Sequence, residues 1–266
     1  MLGKLIKYEF RSTAMFFLPI YAALVIISAL TAALYRLAES FNSDFFNFSL
    51  AASVSLYVLL ALGLAVTTFV IIIIRFYKNL LGNEGYLMFT LPVTAEQNIL
   101  AKLIPAAVWF VGSCVLGLLT IIPVLNFRYD DFSFTFEHIT TTHVAATVLF
   151  VIMGLASLLT GFLFLYLCMC IGQTFNSHRF LASAVTMITL QSAAQIISIM
   201  LIALLSSGAG ESVLSALISV FVTSEGELSN SGLLVMLGGI DVFIIAVGGL
   251  LFWADSTILR KKLNLV

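Results

Sequence analysis

Residues 51–74 read AASVSLYVLLALGLAVTTFVIIII, an apolar run without a single charged side chain. At about 1.5 Å per residue it makes a helix of about 36 Å, long enough to cross the roughly 30 Å hydrocarbon core of a bilayer. Its apolar residues occupy every helical face rather than one stripe, which suits lipid or a protein interior and not a wet surface. The same criterion, carried outward, selects five more stretches: 16–34, 103–125, 144–170, 181–205 and 233–253. The expected fold is therefore an all-α integral membrane protein, one transmembrane domain over residues 1–266 with six transmembrane helices.

Composition agrees. Of 266 residues, 61% are hydrophobic and 9% charged, against about 25% charged in soluble domains. A net charge of −1 argues against a nucleic-acid partner, because phosphate neutralisation needs clustered Lys and Arg. Cys114, Cys168 and Cys170 all lie inside apolar runs. They read as small packing residues, not as a disulfide framework or a zinc site.

The basic residues set the orientation. Counting segments alternately, one side receives Lys4, Lys7, Arg11, Arg75, Lys78, Lys102, Arg179, Arg260, Lys261 and Lys262, and the other only Arg36 and Arg128. Lys and Arg accumulate in cytoplasmic loops, so both termini are expected in the cytoplasm. Residues 1–14 carry Leu2, Leu5, Ile6 and Phe10 on one face and Lys4, Lys7 and Arg11 elsewhere. That pattern predicts an N-terminal interfacial helix with its cations near anionic headgroups. The first apolar run is too long for a signal-peptide core, and an uncleaved first span is expected.

Between spans five and six, residues 213–223 form an apolar run of about half the spanning length. With polar flanks on both sides, it predicts a short extracellular helical element. Phe41, Phe45, Phe46 and Phe48, and then Phe127, Tyr129, Phe132, Phe134 and Phe136, read as interfacial anchors on the outer side.

Catalytic and ligand-binding signatures are sparse. The sequence contains no G-x-x-x-x-G-K-[ST], so no P-loop of its own, no G-x-S-x-G and no H-E-x-x-H. His138 and His143 miss the i, i+4 spacing that places two imidazoles on one face. No enzymatic activity, no metal and no directly bound cofactor is expected. Asp241, the one ionisable residue deep inside a span, costs about 2.5–3.5 kcal/mol to insert and should find a polar partner. The run Gly238-Gly239-Ile240-Asp241 resembles part of an intramembrane aspartyl protease motif, but no second carboxylate falls within the six spans. Gln191, Gln195 and Ser198 follow i, i+4, i+7 and share one face of span five. Lipid cannot satisfy glutamine amides, so this face and Asp241 are candidates for a translocation pathway or a dimer seam.

The inner segment 75–102 is amphipathic rather than simply polar. Gly82 and Gly85 permit sharp turns, and Pro92 ends an apolar patch of Tyr86, Leu87, Met88, Phe89 and Leu91. Thr94 with Gln97 predicts a capping box opening the next helix. An apolar patch on a cytoplasmic loop calls for a partner or a membrane surface.

At these residues the chain resembles the membrane subunits of bacterial ABC exporters of the ABC-2 permease type. Glu84-Gly85-Tyr86-Leu87-Met88-Phe89-Thr90-Leu91-Pro92-Val93 is similar to the family's cytoplasmic segment after span two. Leu5-Ile6-Lys7-Tyr8-Glu9-Phe10-Arg11 looks like its opening helix, and Arg260-Lys261-Lys262-Leu263-Asn264-Leu265 like its ending. The resemblance implies a permease in the bacterial plasma membrane. Two such permeases, identical or sibling, would form the pathway above separate ABC ATPase subunits that carry ATP and Mg. Glu84, Gly85, Tyr86, Leu87, Met88, Phe89, Leu91 and Pro92 would then couple permease to ATPase, and the other partners would be membrane lipids. The competing readings are a secondary transporter, and a non-transporting immunity or assembly protein.

The charge asymmetry generates a topology prediction. With Cys114, Cys168 and Cys170 replaced by Ala, a cysteine introduced at Asp130 should react with a membrane-impermeant maleimide on intact cells, and one at Gly82 only after lysis. Labelling at Gly82 on intact cells would invert the orientation.

Overall fold

The structure is a computed structural model describing residues 2–41, 43–78, 93–125, 141–175, 179–205 and 229–261. It holds six long helices: α1 (Leu2–Phe41), α2 (Asp44–Phe76), α3 (Ala95–Val124), α4 (Thr141–Gly172), α5 (Arg179–Leu205) and α6 (Asn230–Lys261). Each is long and apolar enough to cross a membrane, and each covers one of the six expected spans, the span 103–125 ending one residue beyond α3. Among the described residues the chain is all-helical, with the six long apolar helices of a multi-pass membrane protein. The segments 84–92, 127–136 and 213–223, together with His138 and His178, lie outside the described residues.

The helices outrun the spans. The 40 residues of α1 extend about 60 Å at about 1.5 Å each, twice the hydrocarbon thickness. Residues 2–14 and the first span are one continuous helix with Pro19 inside it, not two separate elements. At the start of α3 the expected capping box is present. Gln97 N–H donates to Thr94 Oγ1, and Thr94 N–H to Gln97 Oε1, each at 3.4 Å.

The chain divides into two compact units, Met1–Thr135 and Phe136–Val266. In the first, α1 and α3 run parallel, with α2 antiparallel to both. The contacts set this order: Tyr21 meets Ser113 (2.8 Å) and Ser28 donates to the Thr120 carbonyl (2.7 Å). Thr68 pairs with Ser113 (3.2 Å), and Tyr57 with Thr120 (3.1 Å). Phe17, Leu24, Ile27, Tyr57 and Leu64 form the apolar core, flanked by Trp109 and Leu116. Because lipid offers no hydrophobic drive between helices, these hydroxyl bonds and close packing supply the specificity.

In the second unit α4 packs most extensively on α6, and α5 joins α4 where Ser183 meets Gly172. Asp241, Gly248 and Asp255 are buried at heptad spacing on α6, a single seam. Thr160 of α4 sits on it, its hydroxyl donating to the Ile244 carbonyl at 3.4 Å. A β-carbon at Gly248 would stand 2.8 Å from Thr160 Oγ1, so glycine sets how closely the two backbones approach. Gly172 plays the same part beneath Ser183 of α5.

This packing separates two adjacent glycines. Gly248→Leu should destabilise the protein by about 1–3 kcal/mol through overpacking. Gly249→Leu, with nothing within 4 Å, should leave thermal unfolding in detergent nearly unchanged. Equal effects would contradict the seam.

Candidate functional site

The densest polar constellation lies in the first unit, where α1 meets the ends of α2 and α3 that border residues 79–92. Lys102 is buried on α3 and its ammonium pairs with Glu9 of α1, the two side chains being 2% and 13% exposed. One turn further along α1, the Arg75 guanidinium from the last turn of α2 donates to the Ser12 carbonyl at 3.1 Å and also to the Ser12 hydroxyl. Trp109 of α3 donates its indole N–H to Thr13 Oγ1 (2.7 Å), and the Thr13 hydroxyl donates to the Glu9 carbonyl (2.7 Å). Phe17 stacks on the Trp109 ring with centroids 4.6 Å apart and planes 9° from parallel.

The repeat along α1 explains the order. Glu9, Thr13, Phe17 and Tyr21 stand four residues apart, one ridge on one helical face, with Ser12 beside it. That ridge runs from an ion pair, through a hydrogen-bonded and stacked indole, to the Tyr21–Ser113 bond. Basic residues from both flanks of 79–92, Arg75 before and Lys102 after, thus close on the same turn of α1. Asn98, one turn from Lys102 on α3, is 1% exposed, and neither atom of its amide makes a hydrogen bond among the described residues.

Both cations lie within a turn or so of an apolar stretch, where a lone charge is costly. Glu9 meets that demand for Lys102, and main-chain and hydroxyl oxygens meet it for Arg75. The sequence carried a signal for the pair that its motif reading passes over. Lys102 directly precedes the apolar run 103–125, so it needs a counter-ion, and few acids lie on its side of the chain.

The structure distributes the other candidates over two helices. Gln191, Gln195 and Ser198 are all exposed on α5. The Ser198 hydroxyl turns back to the Gln195 carbonyl at 2.8 Å, and neither glutamine amide bonds another helix among the described residues. Asp241 lies on α6, 4% exposed, and neither of its carboxylate oxygens has a hydrogen-bond partner among the described residues. A second carboxylate is buried on the same helix: Asp255 is 0% exposed, likewise without a hydrogen-bond partner among the described residues, and close to Cys168 and Cys170 of α4. Sequence reading ends the sixth span at residue 253 and so misses it. The two acids stand about 21 Å apart along the helix axis, too far to share a proton as an aspartyl dyad requires. Cys168 and Cys170 are both buried and all three cysteines are free thiols. Among the described residues, no three His, Cys, Asp or Glu side chains come together as metal ligands.

Comparison of the chain with protein-family profiles, curated proteins and solved structures finds no match in any of the three.

The buried pair predicts a sign pattern in stability. Lys102→Met should cost about 3–5 kcal/mol, because it strands the Glu9 carboxylate. Adding Glu9→Gln should recover much of that loss. Denaturant or thermal unfolding in detergent reads both variants, and additive losses would show that the two charges do not interact.

Proposed function

We propose that the protein is the membrane-spanning permease subunit of an ATP-binding-cassette exporter of the ABC-2 type. It would work in the bacterial plasma membrane with both termini cytoplasmic, as a pair of permeases above separate ATPase subunits. One observation carries this reading. The segment resembling the family's coupling region, Glu84 to Val93, is flanked by Arg75 and Lys102, and both grip one turn of α1. A push delivered to that segment would reach the first transmembrane helix through short, buried, charge-assisted contacts rather than through a slack loop.

The remaining parts have roles consistent with it. Residues 1–14 brace the segment from the cytoplasmic side. Tyr86, Leu87, Met88, Phe89 and Leu91 supply the apolar surface that a docked ATPase covers, with Glu84, Gly85 and Pro92 shaping its turn. The outer element near 213–223 sits at the exit side. On α5, Gln191, Gln195 and Ser198 form the seam or pathway face toward the second permease. Two-fold pairing suits glutamine, since an amide both donates and accepts and can satisfy its own copy.

The unpaired buried acids favour a second reading, an ion-coupled secondary transporter, because intramembrane carboxylates commonly mark ion pathways. The two readings separate on the motor. Affinity purification of the tagged chain from its own cells should bring down a P-loop ATPase, and Tyr86→Ser, Leu87→Ser and Phe89→Ser together should abolish its recovery. Asp241→Asn should leave the recovery intact. Solute movement by the chain reconstituted alone, driven by an ion gradient, would establish the rival.

A further inference from the structure

The opposite face of α1 is as ordered as the inner one. Lys4, Lys7 and Arg11, followed by Met15, Leu18, Ala22 and Val25, are each three or four residues apart and fall in one sector of the helix. All are exposed, Met15 at 72% and Leu18 at 59%, and Tyr8 beside the cations is 69% exposed. The stripe therefore has a cationic head and an apolar tail, in that order from the N-terminus.

Its charge is uncompensated. Glu9 is the sole acid in residues 2–14, and it is turned inward onto Lys102. None of Lys4, Lys7 and Arg11 makes an ion pair among the described residues. Burying Glu9 thus leaves the outer face purely positive, and the contacts of Ser12, Thr13 and Phe17 hold that face in a fixed direction.

The dimensions match one class of ligand. From Met15 to Val25 the stripe runs about 15 Å, half the roughly 30 Å hydrocarbon core and so the depth of one leaflet. We propose that this stripe binds an anionic phospholipid, its phosphate on Lys7 and Arg11 and an acyl chain along Met15, Leu18, Ala22 and Val25. A soluble anion would use the cations and leave the apolar half unfilled. A zwitterionic lipid would use the apolar half and gain little from three cations. The inference rests on the membrane-spanning fold alone, not on the exporter reading.

The test uses the purified full chain in detergent, titrated with phosphatidylglycerol or phosphatidylcholine at constant salt and read by native mass spectrometry. Phosphatidylglycerol should bind in clear preference. Lys4→Gln with Lys7→Gln and Arg11→Gln should weaken it on the order of a hundredfold, from about 1 kcal/mol per cation, down to the level of phosphatidylcholine. Lys7→Gln alone should weaken it about fivefold, and Arg11→Lys should keep the preference. Met15→Ser with Leu18→Ser should weaken both lipids alike. Unchanged unfolding of the lipid-free variants separates lost binding from lost fold. Equal binding of the two lipids by the unaltered chain, retention of the preference in the triple variant, or displacement by an equal concentration of glycerol phosphate would overturn the proposal.

Discussion

A cation at the edge of the hydrocarbon must be neutralised where it stands, and the pairing of Lys102 with Glu9 does this across two helices that are remote in sequence. The inner face of α1 follows from that contact. Ser12 accepts from Arg75, Thr13 from Trp109, and Phe17 lies flat on the same indole. The pair also decides the outer face, because the acid that would otherwise offset Lys4, Lys7 and Arg11 is consumed inside. One buried contact therefore fixes which side of the helix faces its neighbours and which is left exposed.

The spans were legible because lipid imposes a length and apolarity that few other environments require. Residues 51–74 announce a helix without reference to any partner, and the Thr94–Gln97 cap is local enough to be read directly. The continuity of residues 2–41 was not legible, since charges at Lys4, Lys7 and Arg11 suggest an interfacial element without saying whether the helix breaks. Asp255 escaped notice for a related reason. Hydropathy ends a span where polar residues begin, yet α6 continues past the exposed Trp253 and buries Asp255, Ser256 and Leu259. Pairings such as Glu9–Lys102 and Thr68–Ser113 depend on helix register, which a single sequence does not carry.

Polar groups in the second unit follow a different economy. On α6 the seam of Asp241, Gly248 and Asp255 combines one close backbone approach with two acids that have no hydrogen bond. On α5 the amides of Gln191 and Gln195 are exposed, and that helix is joined to its unit chiefly near its first turns, through Ser183 beside Gly172 and Thr186 donating to the Cys168 carbonyl at 3.1 Å. Lipid satisfies none of these groups. Under the proposed pairing, a second copy against α5 would meet the amides by self-complementary hydrogen bonds.

Under the proposed function a motor encoded elsewhere docks on the apolar residues Tyr86, Leu87, Met88, Phe89 and Leu91. That docking is tested most directly by placing a photo-reactive benzophenone side chain at Leu87 and irradiating living cells. A single protein adduct whose sequence carries a P-loop is expected. Adducts formed with lipid alone, or with a protein lacking a nucleotide-binding motif, would contradict it.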